Sequence, residues 1–119
     1  MYNHPIGAVI ATKGFLNTTH EGIVYGTNGC GQMLVIENSK TKGQVSISTF
    51  EEFSEGNECW IVQPAPRGRE VEIAHRATQF LGCGYDLWNF NCQHFVSEVY
   101  TGVRWSWELV ERGFSPETF

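Results

Sequence analysis

Apolar and polar positions follow two different rhythms along this chain. Ile6–Ala11, Gly22–Gly26, Met33–Ile36, Gln44–Ser48 and Cys59–Val62 are short apolar or alternating runs separated by glycine-containing turns. That pattern predicts five strands, laid out as an antiparallel meander. Thr49 followed three residues later by Glu52 has the form of a capping box, and Phe50 with Phe53 would fill one face of a single helical turn between the fourth and fifth strands. Pro64-Ala65-Pro66-Arg67-Gly68 then interrupts both kinds of regular structure. Beyond it the period changes. Ile73, Ala74, Ala77, Phe80 and Leu81 predict a helix from about Arg69, with Gly82 ending it in a left-handed conformation. Asn91 is a good N-cap for a second helix that turns Phe95, Val96 and Val99 inward and stops at Gly102. A third helix is predicted from Ser106 to Arg112, anchored by Trp105 and Leu109 and closed by Gly113. Strands first and helices last make an α+β fold.

With 119 residues, 41% of them hydrophobic, the chain has the size of one domain that needs no staple to hold its core. A formal charge of −5 has the wrong sign for a polyanion partner, so no nucleic acid is expected. No apolar run reaches the length of a membrane span and the first residues do not form a leader, which predicts a cytoplasmic protein without an integral membrane segment. The four cysteines contain no Cys-x-x-Cys pair, and no trio of His and Cys has ligand-like spacing. Neither a metal nor any other cofactor is called for, and the cysteines are expected to be thiols.

One of those thiols stands out. Cys92 falls in the first turn of the second helix, where open backbone N–H groups and the helix dipole favour a negative sulfur and are expected to lower its pKa. Its spacing from Phe95, Val96 and Val99 turns it toward the sheet. A proton acceptor is then needed on a strand. His20 opens the second strand, on the same face as Gly22 and Val24, where the missing side chain of Gly22 leaves room for an imidazole. If Thr27-Asn28-Gly29-Cys30 is a four-residue hairpin loop, His20 lies directly opposite Glu37. A carboxylate there accepts a ring N–H and stabilises the imidazolium, giving a nucleophile, a base and an orienting group. A slip of one residue offers Asn38 in place of Glu37.

The blocks Gly7-Ala8-Val9-Ile10, His20-Glu21-Gly22-Ile23-Val24-Tyr25-Gly26, Val35-Ile36-Glu37, Gly84-Tyr85-Asp86-Leu87 and Asn91-Cys92-Gln93-His94-Phe95-Val96 follow one another as in the lecithin:retinol acyltransferase-like family. The chain resembles that family from roughly Gly7 to Gly102, most specifically in the last block. The family is a circularly permuted branch of the papain-like and NlpC-type cysteine hydrolases. The resemblance therefore implies a permuted papain-like core in one domain over residues 1–119, with Cys92 as nucleophile and His20 as base. It implies acyl transfer or hydrolysis through a thioester, on a small acyl, lipid or peptide substrate. The third family position, often a second histidine, is read here as Glu37. The usual Asn-Cys-Glu-His has become Asn91-Cys92-Gln93-His94, the aromatic that commonly follows the base is Glu21, and the membrane-anchoring tail of several animal members is missing. These departures leave a cysteine peptidase or amidase, and a non-catalytic interaction module with the same fold, as alternatives. The backbone N–H of Cys92 is the natural first donor to an oxyanion, with the Tyr85 phenol as a candidate second.

The remaining candidates read as structure. Cys30, Cys59 and Cys83 are expected to pack, as is Trp60, while Trp88, Trp105 and Trp107 are further aromatics able to fill the core or line a groove. His94, about 200° round the helix from Cys92, is expected to pack or cap rather than face the site. Asp86 is expected to organise its own turn.

Overall fold

The computed structural model describes residues 5–14 and 18–106. Five strands, β1 (Val9–Lys13), β2 (Thr19–Thr27), β3 (Met33–Ser39), β4 (Gln44–Thr49) and β5 (Cys59–Gln63), form one antiparallel sheet in the order β4-β3-β2-β1-β5. Helix α1 (Phe50–Ser54) separates β4 from β5, and α2 (Glu70–Thr78) and α3 (Cys92–Thr101) follow the sheet. The architecture is α+β, as the change of period predicts. The third predicted helix, beyond Ser106 itself, lies outside the described residues.

Only the first four strands form a meander. The fifth returns to the far edge and pairs with β1, because α1 passes beneath the sheet on the way. Phe53 of α1 is buried among Ala8, Ile10, Val24, Met33 and Val35. The opposite face of the sheet carries Val9, Ile23, Ile36 and Val45 under Ile73 and Ala77 of α2 and Phe95, Val96 and Val99 of α3. Two apolar layers thus sandwich one sheet, and the strands that are covered on both faces read as nearly continuous apolar runs.

Three boundaries depart from the sequence reading, each for a backbone reason. The first strand starts at Val9 because Gly7, at φ 82°, turns the chain, and its N–H bonds the Val24 carbonyl. A Cβ at Gly7 would stand 2.7 Å from the Glu70 carbonyl oxygen, so the turn packs directly on α2. Helix α2 stops at Thr78, because the following segment bonds to β4: Val45 N–H donates to the Cys83 carbonyl and Gly82 N–H to the Val45 carbonyl. Phe80 nonetheless stays packed on the core, stacked with Phe90 and edge-on to Phe95, so its periodicity reports burial and not helix. The turn joining β2 to β3 spans Asn28–Gln32, one residue longer and one later than the four-residue loop predicts, and a bulge at Tyr25 takes back one position. Gly22, not His20, therefore lies opposite Glu37. The net offset is two residues, which leaves every side chain on its expected face.

No helix among the described residues is long and apolar enough to cross a membrane.

Candidate active site

Helix α3 presents Cys92 from a heavily braced first turn. The Asn91 side-chain oxygen accepts from the N–H groups of Gln93 (2.9 Å) and His94 (3.0 Å), and the His94 Nδ1 accepts from the Asn91 N–H at 3.0 Å. This is a capping box with histidine in the place usually held by Glu or Gln. Burial, with the nearby Arg104 guanidinium, holds the His94 pKa down, so the ring stays neutral and keeps the acceptor that the box requires. His94 is a capping residue, as its position on the helix predicts. The Asn91 amide donates to the Leu87 carbonyl and the Ser106 hydroxyl, both at 3.1 Å, and Ser106 donates on to Gln93 at 2.8 Å. Asn91 thus caps the two amides after Cys92 and not the Cys92 N–H itself.

From the sheet side, Asn38 of β3 completes the brace. Its amide donates to the carbonyls of Phe90 (2.8 Å) and Asn91 (3.2 Å), and the residue is fully buried. Asn38 therefore holds the Cys92 helix and does not hold the histidine.

His20 meets Glu37 instead, Nε2 to Oε1 at 2.7 Å, with the two side chains 20% and 4% exposed. The contact is diagonal across the strands. Glu37 faces Gly22, which has no side chain to stand between it and the imidazole two residues earlier, and the room over Gly22 is filled by Val35 and Phe53. The Phe53 ring, 5.0 Å from the imidazole between centroids, backs it. On its other side lies Cys92, whose sulfur acts to raise the His20 pKa and whose Sγ donates to the Thr19 carbonyl oxygen at 3.8 Å.

The route by which these groups meet differs from the simplest reading. His20 shares the face of Gly22 and Val24, which is the face covered by Phe53, whereas α3 packs on the opposite face. The two side chains meet around the end of β2, where Cys92, in the first turn of α3, comes down beside Thr19. Helix, strand end and α1 thus each supply one wall.

Burial opposes a charge on His20, but the neighbouring Cys92 sulfur and the bond to Glu37 more than offset it and push the imidazole up to about 10. Glu37 moves the other way. Burial works against its ionisation, yet the bond to His20, a further one to Ser48, and the charges of His20 and Lys42 hold it below the usual carboxylate range. The sign of each shift fixes a stability window. The His20 contribution is complete below the ordinary imidazole value of 6.5 and is lost as pH rises through about 10. That of Glu37 is present above its ordinary 4.5 and is lost as pH falls through its depressed native value. The pair is thus expected to stabilise the fold most between those two ordinary values, by a few kcal/mol at most. Urea unfolding of wild type and Glu37→Gln at stepped pH checks this: the gap between them should shrink at both ends, and a constant gap contradicts it.

Beside Thr19 opens a cleft of about 480 Å³, lined by Lys13, Thr18, Thr19, Asn57, Glu58 and Trp60. Thr19, whose carbonyl lies 3.8 Å from Cys92 Sγ, is the lining residue that connects this cleft to the cysteine. Trp60 is 46% exposed, so the expectation that it fills the core is wrong: on the edge strand β5 its indole forms a cleft wall. Cys30 and Cys83 are exposed as well and do not pack. Cys59 does touch the Phe53 cluster. It pairs with Thr12, whose other neighbour is His20, but burial raises its thiol pKa, which suits a packing residue better than a nucleophile. Asp86 pins the N–H groups of Trp88 and Asn89, as expected of a turn residue. Tyr85 is anchored through its own N–H to the Gly43 carbonyl in the turn after β3.

Sequence reasoning missed Ser48, Lys42 and Phe53 as neighbours of the His20–Glu37 pair. The alternation of Ser46 and Ser48 on β4 was a usable signal for the first, once β3 and β4 were in register.

Compared with known families, residues 13–105 match the family model described as lecithin retinol acyltransferase. No curated protein matches the chain.

Proposed function

We propose, from the premise that this chain belongs to the lecithin retinol acyltransferase family, that Cys92, His20 and Glu37 carry out acyl transfer or hydrolysis through a thioester. Membership brings the general activity, movement of an acyl group; the site supplies the chemistry. The observation that carries the reading is the imidazole fixed by the 2.7 Å bond to Glu37 at the strand end where Cys92 Sγ meets the neighbouring Thr19 carbonyl. With Nε2 committed to the carboxylate, the second ring nitrogen is left to exchange a proton with sulfur.

With its pKa near 10, His20 rests as imidazolium opposite the Glu37 carboxylate, holding the proton that the thiol gives up. The sulfur then attacks the acyl carbonyl carbon. A C–S bond forms while the carbonyl electron pair moves onto oxygen, toward the Cys92 N–H, with the Tyr85 phenol as the candidate second donor. Collapse breaks the bond to the leaving alcohol or amine, which takes the proton from His20 and departs. Neutral His20 next removes a proton from water or an acceptor hydroxyl, whose oxygen displaces sulfur and frees the product. The cleft next to Thr19 receives the part of the substrate that is not transferred.

Intact mass after mixing enzyme with a lipid ester, or with a peptide amide, tests the proposal. An acyl increment on Cys92 in wild type and none on Cys92→Ser is expected, with the ester as the faster donor. Acylation or turnover with the peptide alone assigns the site to an amidase or peptidase. No adduct and no turnover with either substrate rejects catalysis in favour of an interaction module.

A further inference from the structure

The carboxylate that holds His20 is itself held from behind. Lys42, in the turn between β3 and β4, reaches back so that Nζ donates to Ser48 Oγ at 2.5 Å. Ser48, on β4, is 1% exposed and sits diagonally across from Glu37, whose direct partner on that strand is Ser46. Because the Ser48 oxygen accepts from Lys42, its own proton is free to turn toward Glu37, the diagonal neighbour whose pKa it acts to lower. The Lys42 ammonium is in turn 3.5 Å from Glu52 Oε2, and Glu52 is fixed by the capping box of α1, where Oε1 accepts from the Thr49 N–H at 2.9 Å. The order across the sheet is carboxylate, ammonium, hydroxyl, carboxylate, imidazole, thiol. The links from Glu52 to Lys42, Lys42 to Ser48 and Glu37 to His20 are direct polar contacts, while Ser48 is the diagonal neighbour of Glu37 across the two strands.

We propose that Ser48 and Lys42 are positioning residues for the reaction: through Ser48, the Lys42 charge keeps Glu37 ionised and aimed at His20, which makes the base that serves Cys92 sensitive to a side chain in the turn after β3. The inference rests on the proposed roles of Cys92, His20 and Glu37. A buried carboxylate with one partner can rotate away or take up a proton. A second hydrogen bond on the far side prevents rotation, and a cation one hydroxyl away disfavours protonation. The titratable groups around Glu37 are His20 on β2, Cys92 on α3, Lys42 in the turn and, behind Lys42, Glu52 on α1; Lys42 is the one permanent cation among them.

Alkylation of Cys92 by iodoacetamide, followed by peptide mass across a pH series, reads the relay without any substrate. Removing Lys42 or Ser48 should make Glu37 easier to protonate, so the acid limb of the Cys92 rate should move upward by roughly one pH unit in Lys42→Met and in Ser48→Ala. Lys42→Arg should restore the wild-type limb. In a Glu37→Gln background Lys42→Met should add nothing, because the group it acts on is gone. In turnover, Ser48→Ala is expected to lower kcat by about 10- to 100-fold and Lys42→Met by about fivefold, with KM unchanged. A limb that stays where it is in both single variants overturns the proposal, even if melting temperature falls. So does an equal shift with and without Glu37. Absence of acyl transfer in wild type alongside the predicted limb shifts would instead reject the catalytic reading while leaving the relay in place.

Discussion

His20→Asn is expected to reduce acyl transfer by about 10²- to 10⁴-fold while leaving the protein folded. Asparagine keeps an N–H donor near Glu37, so the buried carboxylate retains a partner besides Ser48. What disappears is the titrating nitrogen. Without it the thiol proton has no acceptor, and the leaving group has no proton donor. His20→Ala should be as inactive and less stable, since the largely buried Glu37 then loses its 2.7 Å partner altogether, at a cost of about 1–3 kcal/mol. Glu37→Gln separates orientation from proton transfer. The amide oxygen still accepts the ring N–H, but the negative charge opposite the imidazolium is gone, so a loss of about tenfold is expected. Single-turnover formation and decay of the Cys92 acyl adduct distinguishes the three. His20→Asn activity within threefold of wild type would remove His20 from the chemistry.

The contact between sulfur and imidazole owes more to the end of a strand than to the face of a sheet. Alternation correctly grouped His20 with Gly22 and Val24, and helical spacing correctly turned Cys92 inward with Phe95 and Val99. Neither pattern says which sheet face a helix covers, because Ile23 and Val24 are equally apolar and both are buried. The helix chose the Ile23 side. The proposed pair stays feasible because His20 is the second residue of β2 and Cys92 the first of α3, so both lie at the edge of the layer that separates their elements.

Register was the less legible quantity. Glycines at 26, 29 and 31 around Asn28 allow several hairpin loops, and a bulge at Tyr25 leaves no mark in an apolar–polar pattern. The errors amounted to an even number, so Glu37 kept its face and a diagonal contact replaced the direct one. The caps were fully legible: Thr49 with Glu52, Asn91 at the start of α3 and Gly102 at its end each make their cap bonds to residues about one turn away. The relay behind Glu37 was not, since Lys42 acts on it through a serine on a third strand, and a sequence pattern carries no trace of where a flexible ammonium comes to rest.

Gly22→Ala is expected to cost about 1–3 kcal/mol of stability and most of the activity, although alanine is ordinarily the better residue in a strand. A Cβ there would stand 2.6 Å from Val35 Cγ1, 2.9 Å from Phe53 Cε1 and 3.2 Å from the Ile36 carbonyl oxygen. None of the three can retreat easily: Val35 is fully buried, Phe53 is 2% exposed, and the third is backbone. Phe53 is also the ring that backs His20, so the displacement that relieves the clash presses on the imidazole and opens its bond to Glu37. Stability and catalysis should therefore fall together, which is unusual for a glycine remote from any turn. Val35→Ala removes the nearest clashing atom, so Gly22→Ala with Val35→Ala should be more stable than the sum of the two single losses by at least about 0.5 kcal/mol. Phe53→Leu with Gly22→Ala should recover stability but not turnover, because the imidazole loses its backing ring. Strict additivity in both pairs, measured by urea unfolding, would show that the space over Gly22 is not what seats His20 beside Glu37.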